Sequence, residues 1–141
     1  MKDIADLVGR ILFSFIFIYE AIDSIIYFNK TKLLMTEYGL TFQQDLLLIG
    51  AVILLLTGGT LVLIGYRIGF GAILIMLYWI PITFIVHSFW NDAPAEKRLE
   101  AILFMKNIAI LGGLLFMAVN TSGKYSIKTL LANTRVPKRF R

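Results

Sequence analysis

Four apolar runs, each about twenty residues long and parted by short polar segments, make up most of this 141-residue sequence. A helix needs about 20 predominantly apolar residues to cross a hydrocarbon core of roughly 30 Å. The runs fall at about residues 4–28, 46–66, 69–89 and 101–120, and a basic tail follows at 121–141. Each must satisfy its own backbone hydrogen bonds in lipid, and none alternates in polarity as a barrel strand would, so helix is the expected state. Only 16% of the residues are charged and the mean hydropathy is +0.78. A water-soluble domain so composed would expose large apolar patches and aggregate. The expectation is an all-α, integral membrane four-helix bundle forming a single transmembrane domain over 1–141. The first run carries Arg10, Glu20 and Asp23 and no small-x-small cleavage site follows it, so it reads as a retained span and not as a signal peptide.

With four spans, both termini share one side of the membrane. Lys2, Arg10, Arg67, Lys124, Lys128, Arg135, Lys138, Arg139 and Arg141 fall on that side, nine basic residues. The other side holds five, Lys30, Lys32, Lys97, Arg98 and Lys106. The positive-inside rule therefore places both termini in the cytoplasm, in a multi-pass protein of the cell membrane (the inner membrane in a bacterium). Gathered at one face, the basic residues suit anionic lipid headgroups better than nucleic acid. No nucleic-acid partner is expected.

The chain contains no Cys and one His. Thiolate catalysis, a disulfide, an iron–sulfur cluster and a CxxC redox pair are thereby excluded, and a multi-histidine metal site within one chain is out of reach. No metal is expected, and independent catalysis is not.

Against this background the intramembrane polar residues carry the most information. A carboxylate at the centre of a span costs about 2.5–3.5 kcal/mol on insertion scales, so such residues face a bundle interior and find partners. Glu20 and Asp23 lie in the first span, and with Tyr19, Ser24 and Tyr27 they read as a polar stripe. By the topology above they occupy its outer half. His87, Trp90 and Asn91 close the third span at that depth, and Lys106 and Asn107 open the fourth there. Glu20, Asp23, His87, Trp90, Lys106 and Asn107 are thus expected to meet in one polar pocket of the outer half, able to hold a ligand or handle protons. Lys106 is the natural partner of either acid, and an ion pair that only sets helix register is the structural alternative. Arg10, nearer the cytoplasm, would snorkel to the headgroups. Gly58, Gly59, Gly112 and Gly113 suit close helix packing. Pro81 interrupts the third span's hydrogen bonding and is expected to kink it below His87.

Two stretches carry a family likeness. His87-Ser88-Phe89-Trp90-Asn91 ends the third span, and Phe104-Met105-Lys106-Asn107-Ile108-Ala109-Ile110-Leu111-Gly112-Gly113-Leu114-Leu115 fills the start of the fourth. This order, with Arg10-Ile11-Leu12-Phe13 opening the first span, resembles the DoxX family of small four-helix membrane proteins. A more distant likeness extends to eukaryotic cargo receptors that share the His-x-Phe-Trp and Gly-Gly-Leu-Leu elements. Where this chain reads Tyr19-Glu20-Ala21, the family commonly has a small residue such as Gly. The resemblance implies a four-helix membrane fold and an association with membrane oxidoreductases, quinol- or thiosulfate-linked. On that footing the expected function is an accessory subunit of such a system, with a quinone or another small lipophile, even a lipid, in the outer pocket. A non-catalytic scaffold, chaperone or assembly factor is the alternative, and a small-solute or proton transporter ranks third. Membrane lipids and either a membrane-protein partner or further copies of the chain are the expected partners.

Overall fold

The computed structural model describes residues 1–119 and 125–135. Lys124, Lys138, Arg139 and Arg141 of the expected basic tail lie outside the described residues. So do the side chains of Lys128 and Arg135.

Six α-helices make up the described fold: α1 (Lys2–Ile26), α2 (Phe28–Glu37), α3 (Gln44–Ile64), α4 (Ile68–Val86), α5 (Pro94–Val119) and α6 (Ile127–Arg135), with a short 3-10 turn at Phe89–Asn91. There is no strand among the described residues. Three stretches, α3, α4 with its 3-10 turn, and α5, are each long and apolar enough to cross a membrane. At 25 residues α1 is long enough too, but Asp6, Arg10, Glu20 and Asp23 interrupt its apolar run. It meets the same standard only together with α2, from which it is bent by 97°. The chain is therefore a multi-pass helical protein, with three candidate spans among the described residues, or four when the bent pair is one of them.

The right-angled bend departs from the sequence expectation, in which residues 29–45 are a plain connection. Its physical basis is visible in the sequence once α2 is known. Thr31, Leu34, Met35 and Tyr38 recur at i, i+3, i+4 and i+7, the spacing of one helix face. A short amphipathic helix of this kind lies across a bundle end instead of extending a span. Tyr27, with φ −104° and ψ 33°, ends α1 and begins the turn. The far side of α2 is tied down by Gln44, whose side-chain amide donates to Lys32 O (3.2 Å), Thr36 Oγ1 (2.8 Å) and Leu40 O (2.7 Å). Lys32 Nζ also meets Asp45 Oδ1 at 2.7 Å.

Neighbouring long helices pack in order, α1 on α3, α3 on α4 and α4 on α5, while α1 and α5 approach each other far less. Two glycines set the α3–α4 contact. A Cβ at Gly58 would lie 2.7 Å from the carbonyl oxygen of Gly71, and one at Gly71 would lie 2.9 Å from that of Gly58. Only hydrogen at both positions lets the backbones come so close. Gly59 is buried against Ile18 of α1, and Gly113 receives the ring of Phe13, which bridges the α1–α5 seam. Gly112 packs against no helix among the described residues: its missing side chain faces open space. In Gly112-Gly113 adjacent residues point about 100° apart around α5, so one cannot share its neighbour's contact.

Phe17, Leu55, Val62, Ala72, Ile75, Trp79 and Leu114 form the core. Phe17 and Trp79 meet edge to face at 5.1 Å, across the bundle. Ser14 and Thr83, fully buried, hydrogen-bond back to Arg10 O and Trp79 O one turn earlier, at 2.6 Å each. Their hydroxyls therefore cost little in this apolar setting. Along α1 the buried residues are Arg10, Ser14, Phe17, Ala21 and Ser24. Leu12, Phe15, Tyr19, Ile22 and Ile26 lie on its exposed face. The helix is more polar towards the bundle than away from it, the reverse of a helix in a soluble protein. Tyr19 and Tyr27 are exposed, so they stand outside the polar stripe in which the sequence reading grouped them.

Arg10 also differs from expectation. It does not snorkel outwards but is 2% exposed. Its guanidinium donates to Asp6 Oδ2 (3.0 Å), to Leu63 O (3.0 Å) and to Tyr125 O. Leu63 O belongs to the last turn of α3, where carbonyls have no helical partner and the helix dipole favours a cation. Space for the guanidinium comes from Gly65, whose positive φ of 72° ends α3 and whose absent Cβ would fall 2.5 Å from Arg10 Nη1. A buried five-donor cation thus joins α1, the α3–α4 turn and the segment before α6.

Candidate functional site

At the α2 end of the bundle, where α1 and α5 stand apart, a cavity of about 310 Å³ opens. Glu20 of α1, His87 at the end of α4, and Lys106 and Asn107 of α5 all line it. Three helices thus bring four of the six polar residues singled out in the sequence to one space. Thr31, Leu34, Met35 and Tyr38 of α2 line it as well, so the apolar face of that helix roofs the cavity.

The other two polar candidates are placed differently. Asp23, one turn beyond Glu20, is half-buried and is not among the lining residues. Trp90 sits on the 3-10 turn, half exposed, in an edge-to-face aromatic cluster with Phe89 and Phe104. Phe84 of α4 also packs on Phe104, at 5.4 Å. Trp90 therefore helps hold the α4–α5 connection. Pro81 lies inside an α4 that runs unbroken from Ile68 to Val86, and it borders a second, apolar space instead of the polar cavity.

Ion pairs among the described residues are Asp6–Arg10 and Lys32–Asp45. Lys106 forms no ion pair with Glu20 or Asp23, so the partnership expected from sequence is not made at contact distance. His87 instead places Nδ1 2.7 Å from Glu100 Oε2. With Glu100 ionised, Nδ1 is the donor, and a neutral ring keeps Nε2 as an acceptor. Sequence reasoning missed Glu100 because it looked for partners inside the spans. The α4–α5 connection folds back on itself and returns Glu100 to His87, thirteen residues earlier.

Tyr38, in the connection after α2, has its phenol raised above the ordinary tyrosine value. Burial is the main cause, and the carboxylates of Glu100, Glu37, Asp92 and Glu96 add to it. It stays a neutral donor and acceptor through the physiological range. Trp79 lines the cavity floor and is 5% exposed, and its Nε1–H has no hydrogen-bond partner. A buried donor left unpaired costs about 1–3 kcal/mol. The cavity therefore combines the ammonium of Lys106 and the amide of Asn107 with the carboxylate of Glu20 and the imidazole of His87, and Trp79 also lines it. No group of three or more His, Cys, Asp or Glu suited to a metal ion occurs among the described residues.

The sequence pattern of DoxX matches residues 5–88, more than half of the chain. Inner membrane protein YqjF of Escherichia coli (strain K12) is 29% identical over 132 residues, spanning 93% of this chain and 95% of its own length. No solved structure matches. The match of residues 5–88 runs from within α1 through the α2 roof, α3 and α4 to Ser88, just past His87, and on this ground the chain belongs to the DoxX family.

Proposed function

We propose that this DoxX-family protein is an accessory subunit of a membrane oxidoreductase system. On this reading it holds a quinone or another small lipophile in the α2-roofed cavity and performs no catalysis of its own. One observation carries the proposal: Glu20, His87, Lys106 and Asn107, from three helices, surround a single cavity. Intramembrane ionisable groups are costly, and a site that binds is a common reason for a chain to carry them. The donors Lys106 and Asn107 suit a ligand carbonyl or hydroxyl oxygen, while His87, oriented by Glu100, offers its second nitrogen. The oxidoreductase partnership rests on the family likeness alone.

The topology belongs to the same proposal: both termini in the cytoplasm, with the cavity on the extracytoplasmic side of a cell membrane, the inner membrane in a bacterium. The nine-to-five division of basic residues supports it. Purification from native membrane, solvent extraction and mass analysis would test the ligand reading. A lipophile is expected in stoichiometric amount with the wild type and depleted at least fivefold with His87→Ala or Asn107→Leu. Equal recovery from all three proteins would overturn it.

A scaffold or assembly role is favoured by a different observation. Met105, Ile108, Leu115 and Phe116 lie exposed along α5, with Gly112 in open space among them. A small residue within an apolar face is the pattern by which membrane helices approach one another. Cross-linking from this face in native membrane would test it, and labelling by lipid alone would count against a partner there.

A further inference from the structure

The polar cavity is not isolated. A second space of about 360 Å³ lies between α3 and α4, and Thr31, Met35, Leu40, Tyr78 and Ile82 line both. Tyr78 and Ile82 of α4 therefore form the partition, with α2 passing over the two spaces together. Apart from Thr31 and Tyr78, the second space has an apolar lining, including Leu47, Gly50, Leu54, Leu77, Pro81 and Ile85.

Its shape follows from the helix packing. At Gly58 and Gly71 the backbones of α3 and α4 touch, and no side chain fits between them. On the α2 side of that crossing the lining residues Leu46 to Leu54 leave room, so the groove is closed at one end by glycine contact and roofed at the other by α2. Eight residues of helix rise give it a length of roughly 12 Å. Leu46, Leu47 and Leu77 on its rim are exposed, so its side faces the surroundings of the bundle. Gly50 borders the groove and meets nothing within 4 Å of where its Cβ would be.

We infer that the site takes an amphiphile with a single hydrocarbon chain, its oxygen-bearing head among Glu20, Lys106, Asn107 and Trp79 and its chain past Tyr78 into the α3–α4 groove. This rests on the ligand reading given above and adds the class of ligand. The continuity of one polar and one apolar space under a single roof argues for it. A compact polar solute would use only the first, and a plain hydrocarbon would leave the donors of the first unmatched. A groove closed at the glycine crossing has room beside it for one chain. An isoprenoid-type tail on a quinone and the acyl chain of a fatty acid share this chemistry.

The test uses full-length protein in detergent and two pairs of probes. One pair is tetramethylbenzoquinone and its decyl-trimethyl analogue; the other is acetate and dodecanoate. Gly50→Leu places a branched side chain in the groove from an open helix position, and Gly50→Ala, one methyl larger than wild type, is its control. Neither variant is expected to lower the unfolding midpoint, since both sit at an open helix position. Gly50→Leu should weaken binding of the chain-bearing probe at least tenfold and leave its chain-free counterpart unchanged, with Gly50→Ala close to wild type. Asn107→Leu should weaken both members of that pair. Whichever pair behaves so identifies the head, quinone or carboxylate. If Gly50→Leu binds the chain-bearing probe as tightly as wild type while Asn107→Leu does not, the two-part site is wrong and the polar cavity reading stands. If wild type binds no probe, or Asn107→Leu binds every probe as wild type does, the cavity reading itself falls and this inference with it.

Discussion

Arg10 and His87 show how the polar residues are accommodated one at a time. Arg10 is buried because it has acceptors, one carboxylate and two backbone carbonyls. Arg10→Ala leaves those carbonyls unmatched and is expected to destabilise by about 3 kcal/mol. Arg10→Lys should recover only part of this, since an ammonium lacks the planar fork that reaches three acceptors at once. Reversible unfolding in mixed micelles measures both, and an Arg10→Ala cost below 1 kcal/mol would show the network to be incidental. His87 and Glu100 are each about one-fifth exposed on the side chain, so their 2.7 Å contact is only partly screened. A double-mutant cycle with His87→Ala and Glu100→Gln is expected to give a coupling near 1 kcal/mol. Strict additivity would mean that Glu100 does not orient the ring.

Helices α2, α3 and α5 differ in what holds them. Gly58 allows no substitution without moving α4, because a Cβ there would meet Ile75 Cγ1 at 2.6 Å as well as the Gly71 carbonyl. Gly58→Ala should therefore destabilise by about 1–3 kcal/mol. Gly112→Ala, in open space on α5, should be neutral or stabilising by up to about 1 kcal/mol through helix propensity. The opposite signs of two Gly→Ala changes check the packing directly. The roof helix α2 rests mainly on Gln44, whose amide reaches three oxygens. Asp45 is 68% exposed on the side chain, so its ion pair with Lys32 contributes little. Gln44→Ala is expected to speed hydrogen exchange across Phe28–Glu37 severalfold, whereas Asp45→Asn should barely change it. The reverse order would assign the roof to the ion pair.

For the whole molecule the central quantity is sidedness. The chain has no cysteine of its own, so single cysteines report without background. On the proposed topology, with both termini in the cytoplasm, Lys2→Cys and Arg67→Cys are expected to react with an impermeant thiol reagent only after cell disruption. Asn29→Cys and Glu96→Cys should react in intact cells. The opposite pattern would invert the bundle and place the cavity at the cytoplasmic face. The same experiment tests the bent first span, because α1 crosses the membrane only if Lys2 and Asn29 report from different sides.

The apolar runs made the helical membrane class unavoidable, since lipid offers no hydrogen bonds and each segment had to find them within itself. They also placed Glu20, His87, Lys106 and Asn107 at one end of the bundle, because depth along a span follows from residue count alone. Rotation about each helix axis does not. That is why Asp23 and Gly112 left the roles expected of them and why Lys106 is not paired with Glu20. Arg10 was misjudged for a related reason: its acceptors come from Leu63 and Tyr125, distant in sequence and backbone atoms that no residue pattern advertises. The α2 face was legible at i, i+3, i+4 and i+7, but its 97° turn over the cavity was not. Depth and helicity are local consequences of a chain in lipid; the facing of each side chain, and so the cavity itself, depends on packing between helices.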